Sequence, residues 1–262
     1  MKSILIISGS PRPKGNTYKI MQHIQAEMES LGTYTYEWVF LKKVNLGFCK
    51  GCLNCMKKGE EHCPCNDDAL EIRDKLLAAD GIVFLTPVYV HTVSALLKNL
   101  YDRFAWCCHR PRLLGKSALL LVTTELSGID ETLAYMAFPA NAWGLTIADA
   151  VGVVYPTFQS NPQYRAQKEI RLQSAAQSFH TQLHAEKRDF SMPRLAFFHL
   201  MKKKVTLHKD VLPYDYQFWR DNSWLEKSFY DETGLPKLKN RIARTLVSFR
   251  AGTMLKKAGY TR

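Results

Sequence analysis

The sequence predicts an α/β fold in which a doubly wound, five-stranded parallel sheet carries helices on both faces. Short apolar or β-branched segments alternate five times with longer helical patterns over the first 187 residues. The segment 117–124 is almost entirely apolar, which is typical of a strand buried on both faces of a parallel sheet. A polar turn separates the first strand from the first helix, at the edge where such sheets bind ligands.

The first elements are defined by changes of pattern. The apolar run Ile4–Ile7 predicts strand one, and apolar residues at helical spacing predict a helix over residues 18–31 that ends at Gly32. Aromatic and β-branched residues predict strand two over residues 34–41. After a cysteine-rich stretch, Asn66 and Asp67 are candidate caps for a helix that runs to the Gly81 region.

Three further strands complete the predicted sheet, in the order 2-1-3-4-5. Strands are expected at 82–85, 117–124 and 146–155, and helices at 93–104, 133–143 and 162–187.

A change in composition predicts two domains. The first covers residues 1–187 with a cysteine-rich insertion at 44–68, and the second is a basic, aromatic-rich helical extension over 188–262. The apolar patch 195–201 is expected to pack on the protein or on a second subunit rather than on a membrane surface. The last helix is expected over 237–257, with these residues facing inward: Ile242, Leu246, Phe249 and Leu255.

The net charge of +12 comes mainly from the C-terminal part, where residues 187–262 carry 17 Lys or Arg against 7 Asp or Glu. No nucleic-acid-binding motif accompanies this charge, so specific nucleic-acid binding is not expected. No apolar run approaches the roughly 18 residues of a membrane span, and no signal-peptide pattern is present. A cytoplasmic protein is therefore expected.

The segment Ser8–Thr17, SGSPRPKGNT, joins strand one to helix one. Such a turn directs unpaired backbone N–H groups and the positive end of a helix dipole at one point, which favours a phosphate. Hydroxyl, amide and cationic side chains add donors and charge. The candidate phosphate-binding residues are Ser8, Ser10, Arg12, Lys14, Gly15, Asn16 and Thr17.

Two known phosphate-binding loops are excluded by spacing. A nucleoside-triphosphate loop would need a lysine after Gly15, where Asn16 stands, and the dinucleotide fingerprint needs three closely spaced glycines. A hydroxyl-rich loop of the kind that holds the phosphate of FMN in flavodoxin-like proteins remains, beside the simpler alternative of an ordinary polar connection.

The predicted strand order places two more loops beside this turn. Thr86, Pro87, Val88 and Tyr89 follow strand three, and their backbone N–H and C=O groups are candidates for contacting a flat heterocycle. Tyr89 is a candidate for stacking on that ring, or else a core aromatic. The loop 123–128 follows strand four and adds Thr124 to the candidate binding residues, whereas His91 is expected to be solvated.

Five of the seven cysteines fall between residues 49 and 65, a clustering that favours metal or redox chemistry in a cytoplasmic chain. Their compact spacing suits a [4Fe–4S] cluster. Structural zinc and thiols without a metal are the alternatives. The candidate ligands are Cys49, Cys52 and Cys55, with Cys63 or Cys65 as the fourth.

The segments GSPRPKGNT, FCKGCLNC and TPVYVHTVSALLKNLYDR together resemble the NAD(P)H-dependent FMN reductase group, especially its iron-sulfur flavoprotein branch. The resemblance covers roughly residues 1–185, and the additional Cys65 departs from it. It implies a flavodoxin-like fold, noncovalent FMN, and electron transfer from a reduced nicotinamide or ferredoxin-type donor. By the same resemblance Ser10, Arg12, Asn16 and Thr17 would hold the phosphate, and Pro87, Val88 and Tyr89 would line the isoalloxazine ring.

The function expected from these observations is an FMN-dependent oxidoreductase that takes electrons from NAD(P)H or a reduced carrier, with a cluster near the flavin. No catalytic side chain is expected, because the chemistry belongs to the flavin. A homodimer or tetramer is expected. The alternatives are a cluster-free flavin or quinone reductase, a noncatalytic electron carrier, and a zinc-stabilised nucleic-acid-binding protein.

Overall fold

Five parallel strands form one sheet in the order β2-β1-β3-β4-β5, which confirms the predicted fold class and strand order. The computed structural model describes residues 1–185 and 189–257. The strands are β1 (Lys2–Ser8), β2 (Tyr34–Phe40), β3 (Gly81–Pro87), β4 (Ser117–Thr124) and β5 (Thr146–Val154).

Helices follow the strands in the predicted alternation, and the cysteine stretch adds a short helix, α2, that the sequence pattern did not predict. Within the first 185 residues the helices are α1 (Asn16–Leu31), α2 (Asn54–Lys57), α3 (Ala69–Ala78), α4 (Ala95–Arg103), α5 (Ile129–Ala142), α6 (Tyr155–Ser160) and α7 (Pro162–His184). The C-terminal helices are α8 (Met192–Leu207), α9 (Pro213–Asp221) and α10 (Lys237–Lys257).

The chain divides into two compact units. The first comprises Met1–Gly51 and Cys65–Lys187, and the second comprises Cys52–Pro64 and Arg188–Arg262. The predicted domain boundary between residues 187 and 188, and the predicted end of α7 at residue 187, lie outside the described residues.

Alternating side chains of the strands fill the two faces of the sheet in the first unit. On one face Ile4, Ile6 and Leu121 pack with the inner sides of α1 and α7. On the other face the ring of Phe84 contacts Trp143, with ring centroids 5.9 Å apart. All eight residues of β4 are buried, as its apolar sequence predicted.

An aromatic core holds the second unit together. Phe198 and Tyr230 meet edge to face with ring centroids 4.7 Å apart, and Trp219 and Trp224 make a similar contact at 5.5 Å. Leu195, Phe198 and Met201 are buried, so most of the apolar patch 195–201 packs within the protein, whereas Leu200 is exposed. In the described part of the chain no helix is both long and apolar enough to cross a membrane.

The predicted orientation of α10 was wrong. Ile242, Leu246 and Phe249 are exposed, and the side chain of Leu255 lies outside the described residues. The buried face instead presents Asn240, whose Oδ1 accepts a hydrogen bond of 2.7 Å from His199 Nε2. Ala243 is buried on the same helix, so α10 packs through a small residue and a buried hydrogen bond rather than through its large apolar side chains.

Candidate functional site

A cleft of about 430 Å³ lies at the carboxyl edge of the sheet, within the size range of small-molecule sites. The loops after β1, β3 and β4 form its walls, as the topology of a doubly wound sheet requires. Its lining residues are Ser10, Arg12, Gly15, Asn16, Thr17, Pro87, Val88, Tyr89, Val90, His91, Thr123, Thr124, Glu125, Leu126, Ser127 and Tyr155.

The loop after β1 is held by its own hydrogen bonds. Ser10 Oγ accepts from the N–H of Arg12 at 3.1 Å and donates to the Arg12 carbonyl at 2.9 Å. The same carbonyl accepts from the N–H of Gly15 at 2.9 Å. This network fixes the turn without using the first-turn N–H groups of α1. Among the described residues, no side chain caps that helix at Gly15, so its positive end is open to a ligand.

Ser94 ties the loops after β1 and β3 together. Its Oγ donates to the carbonyl of Gly9 and accepts from the N–H of Leu97 as the N-cap of α4. Its own N–H donates to Thr86 Oγ1 at 3.1 Å. A Cβ on Gly9 would lie 2.7 Å from Cβ of Leu97, so only glycine permits this close approach.

A two-residue hairpin turn follows Pro87 and Val88. Tyr89 and Thr92 exchange both backbone hydrogen bonds, at 2.9 and 3.1 Å. The residues between them, Val90 and His91, have φ angles of 49° and 57°. Both angles fall in the left-handed region, which is strained for a β-branched residue and normally selects Asn-Gly in such turns.

The loop after β4 closes the third side. Thr124 Oγ1 donates to the carbonyl of Ser127 at 2.6 Å. His91 lies between Ser127 Oγ, 3.3 Å from its Nε2, and Glu131 Oε1, 3.5 Å from its Nδ1. Gly128 has φ of +86°, and a Cβ there would lie 2.8 Å from Val88 Cγ1. The loop therefore packs closely against the turn that follows β3.

Nine of the twelve predicted cofactor-binding residues line this cleft. The other three, Ser8, Lys14 and Thr86, do not. Ser8 and Thr86 are fully buried, and Thr86 supports Ser94.

The backbone of the turn after β3 is used differently from the prediction. The N–H groups of Val88 and Tyr89 donate to the carbonyls of Thr123 and Thr92, at 2.8 and 2.9 Å, and are not directed at a ligand. What this turn offers the cleft is therefore mainly apolar and aromatic surface.

Seven lining residues were not among the predicted binding residues: Val90, His91, Thr123, Glu125, Leu126, Ser127 and Tyr155. Tyr155 could have been anticipated, since it directly follows β5 at the same edge of the sheet. The exposed turn residue Val90 carries no sequence signal for a positive φ.

A buried ion pair in the first unit holds the chain at both ends of the cysteine segment, next to Gly47 before it and at Asp67 after it. Arg103 pairs with Asp67, and its Nη1 donates to the carbonyl of Gly47 at 2.8 Å. Asp67 in turn accepts from the N–H of Gly47 at 2.8 Å. Cys65 Sγ lies 3.7 Å from the carbonyl of Phe48.

The predicted metal ligands differ in exposure. Cys49 and Cys52 are exposed, whereas Cys55, Cys63 and Cys65 are half-buried. Among the described residues, no three His, Cys, Asp or Glu side chains form a group that could hold a metal ion.

Comparisons with known proteins agree with this fold. The sequence model of the family described as NADPH-dependent FMN reductase matches residues 2–155. An iron-sulfur flavoprotein of Archaeoglobus fulgidus is 29% identical over 231 residues, which cover 86% of this chain and 100% of that protein. An iron-sulfur flavoprotein of Methanocaldococcus jannaschii is 42% identical over 100 residues, which cover 38% of this chain and only half of that protein.

A solved structure with the same fold is the apo form of the NADH:FMN oxidoreductase EmoB. It is 21% identical, with a TM-score of 0.54, and the match covers 71% of this chain and 92% of that one. The family match spans more than half of the chain, including β1 to β5 and all lining residues of the cleft. This protein therefore belongs to the NADPH-dependent FMN reductase family and is a flavin reductase-like oxidoreductase.

Proposed function

We propose that the protein binds FMN in the cleft at the carboxyl edge of the sheet and uses it to transfer electrons from NAD(P)H. The observation that carries the proposal is the division of this cleft into two parts. One wall is the uncapped start of α1 with its hydroxyl, amide and guanidinium groups, and another is the turn Pro87–Tyr89.

The phosphate end fits a dianion. Backbone N–H groups of the first turn of α1, together with the side chains of Asn16 and Thr17, offer several donors around one point. The Ser10 hydroxyl lines the same wall but donates to the Arg12 carbonyl, so its contribution is to hold the loop in shape. Arg12 adds a delocalised charge with a planar set of donors. A single phosphate matches this set better than a pyrophosphate, because the loop has neither of the two fingerprints that hold longer phosphate chains.

The other end fits a flat ring. Pro87 and Val88 provide a stiff apolar edge, and the ring of Tyr89 is 41% exposed, so it has a free surface for stacking. Bound FMN would supply the redox chemistry by accepting two electrons from NAD(P)H and returning them to an acceptor. The chain's own residues would orient the ring and exclude water from it, and none of them is proposed as an acid or base.

We also propose a [4Fe–4S] cluster on Cys49, Cys52 and Cys55, with Cys63 or Cys65 as the fourth ligand. Support comes from their spacing and from the names of the two relatives above. If present, the cluster would let electrons leave the flavin one at a time. The expected homodimer or tetramer and the cytoplasmic location stay predictions.

Anaerobically purified protein tests both proposals. Its visible absorption spectrum before and after dithionite reports flavin, and assays of iron and acid-labile sulfide report the cluster. Bound FMN that is reduced by NADH or NADPH in stopped-flow mixing is the expected result. Flavin that is bound but reduced by neither nucleotide would identify an electron carrier, and the absence of flavin would contradict the proposal.

A pair of variants locates the phosphate. Arg12→Gln should weaken FMN binding about tenfold, as loss of one charge-assisted contact would. Lys14→Gln is the matched control, since Lys14 lies on the same loop but does not line the cleft. Equal losses in the two variants would contradict the proposed placement.

A further inference from the structure

A second cavity, of about 570 Å³, lies within the second unit between α8, α10 and the chain around residue 227. It shares no residue with the cleft at the sheet edge. Four cationic side chains line it, against the one carboxylate of Glu226. They are Lys202, Lys203, Lys227 and Arg244.

The protein compensates these cations only in part. In the described part of the chain, none of the four forms an ion pair with a carboxylate, and Glu226 forms none either. The ammonium of Lys202 donates to the carbonyl of Lys227 at 2.7 Å, which brings two of the lysines together. Like charges that share a cavity raise the free energy of the folded protein unless an anion accompanies them.

The environment of Lys202 contains charges of both signs. Burial lowers the pKa of Lys202, and Arg244 lowers it further, against the opposite influence of Glu226 and Glu232. The remaining N–H groups of Lys202 and the guanidinium of Arg244 are suited to a tetrahedral oxyanion, which accepts several charge-assisted hydrogen bonds.

We propose that this cavity binds a phosphate-bearing anion, a phosphomonoester or pyrophosphate, held mainly by Lys202, Lys203 and Arg244. The hydroxyl of Ser228 lines the same cavity and adds a neutral donor, whereas the Thr206 hydroxyl already donates to the carbonyl of Lys202 at 2.8 Å. The cavity is larger than a single phosphate needs, so the ligand is expected to carry a further group. That group belongs either to a soluble metabolite or to a lipid.

The test uses the full chain with sodium pyrophosphate as the probe, and sodium chloride at the same ionic strength as the reference. Calorimetry should show saturable binding at one site, and the unfolding temperature should rise with pyrophosphate but not with chloride. The cavity variant is Lys203→Gln with Arg244→Gln, and it should weaken binding at least about tenfold.

A charge-matched control is Lys209→Gln with Lys239→Gln, which removes two exposed cations from outside the cavity. Pyrophosphate binding should survive in this control. Equal weakening in both variants would mean nonspecific attraction to a basic surface and would overturn the proposal.

Two further measurements distinguish a ligand site from a structural charge cluster, and a soluble ligand from a lipid. Without phosphate, the cavity variant should unfold at the same temperature as the original protein or higher, because repulsion between the cations is relieved. A marked fall in the unfolding temperature would overturn the proposal, because it would show that these cations stabilise the fold.

Cosedimentation with vesicles tests for a lipid ligand. The ligand is a lipid if the original protein and the control variant sediment with phosphatidic acid vesicles but not with phosphatidylcholine vesicles, and the cavity variant sediments with neither. If the cavity variant binds pyrophosphate and phosphatidic acid vesicles no differently from the original protein, the proposal is wrong.

Discussion

The hydroxyls of Thr17 and Thr123 lie 2.7 Å apart and are both buried, joining the first turn of α1 to the end of β4. We expect Thr17→Val to weaken FMN binding about tenfold, because a donor to the phosphate is lost. The same change should lower the free energy of unfolding of FMN-free protein by about 1–3 kcal/mol, since Thr123 loses its buried partner. Flavin fluorescence titration and urea unfolding measure the two effects.

The double variant Thr17→Val with Thr123→Val separates these effects. Removal of both partners should restore most of the stability, whereas FMN binding should stay weak. Recovered affinity in the double variant would show that the Thr17 hydroxyl does not contact the ligand.

The turn at Val90 and His91 stores strain that a substitution should release. Val90 is 96% exposed, so packing of its side chain does not compensate its positive φ. Val90→Asn with His91→Gly supplies the residues that such turns favour, and we expect the free energy of unfolding to rise by about 1–3 kcal/mol. Loss of the exposed contact between His91 and Glu131 should offset little of this gain, because solvent screens it.

Urea unfolding of FMN-free protein checks this turn prediction. Val90→Ala is the control, because alanine at the same positive φ should give a smaller gain. A destabilised double variant would contradict the strain argument.

Asp80 links β1 to the start of β3 and makes stability depend on pH. Burial alone would raise the pKa of Asp80, but the N–H of Ser3 and the ammonium of Lys2 outweigh it and lower the pKa to about 2. The folded-state pKa lies below the unfolded value of about 3.9, so the stabilisation is present above about pH 4 and is lost as the pH falls towards 2. After allowance for solvent screening it should amount to about 1 kcal/mol.

Comparison of the original protein with Asp80→Asn isolates this group. At neutral pH the variant should unfold at lower urea concentration, and the difference should shrink as the pH approaches 2. A difference that stays constant over this range would argue against the lowered pKa.

The buried pair of Arg103 and Asp67 should be costly to break. Arg103→Met leaves a buried carboxylate without its charge partner and should lower the free energy of unfolding by about 3–5 kcal/mol. It also removes the donor to the Gly47 carbonyl, so limited proteolysis should cut faster close to the cysteine segment. Unchanged urea unfolding and unchanged proteolysis would show that the pair does not anchor this segment.

The sequence was sufficient to predict the sheet and the edge of the sheet at which the cleft lies. The apolar strands and the alternation with helices determine a parallel order, and this order makes β1 and β3 neighbours. The residues after these two strands therefore line one cleft. Local pattern alone did not indicate which of them face it: Thr86 follows the same strand as Pro87 but serves as the acceptor for Ser94.

Features that depend on a distant partner were not predictable. The apolar spacing of α10 favoured Ile242 and Leu246 as core residues, yet the helix buries Asn240, which is hydrogen-bonded to His199 on α8. The strained turn after β3 likewise depends on hydrogen bonds between Tyr89 and Thr92, which hold Val and His where Asn and Gly are usual.

The hydroxyl of Ser94 caps the N-terminus of α4 and also donates a hydrogen bond to the carbonyl of Gly9. A translation of α4 along its own axis would therefore also move the loop after β1, and the opening of the cleft would change shape. The start of α4 and the loop after β1 are therefore mechanically coupled. A partner that displaced α4 would also displace the loop that is proposed to bind the phosphate of FMN.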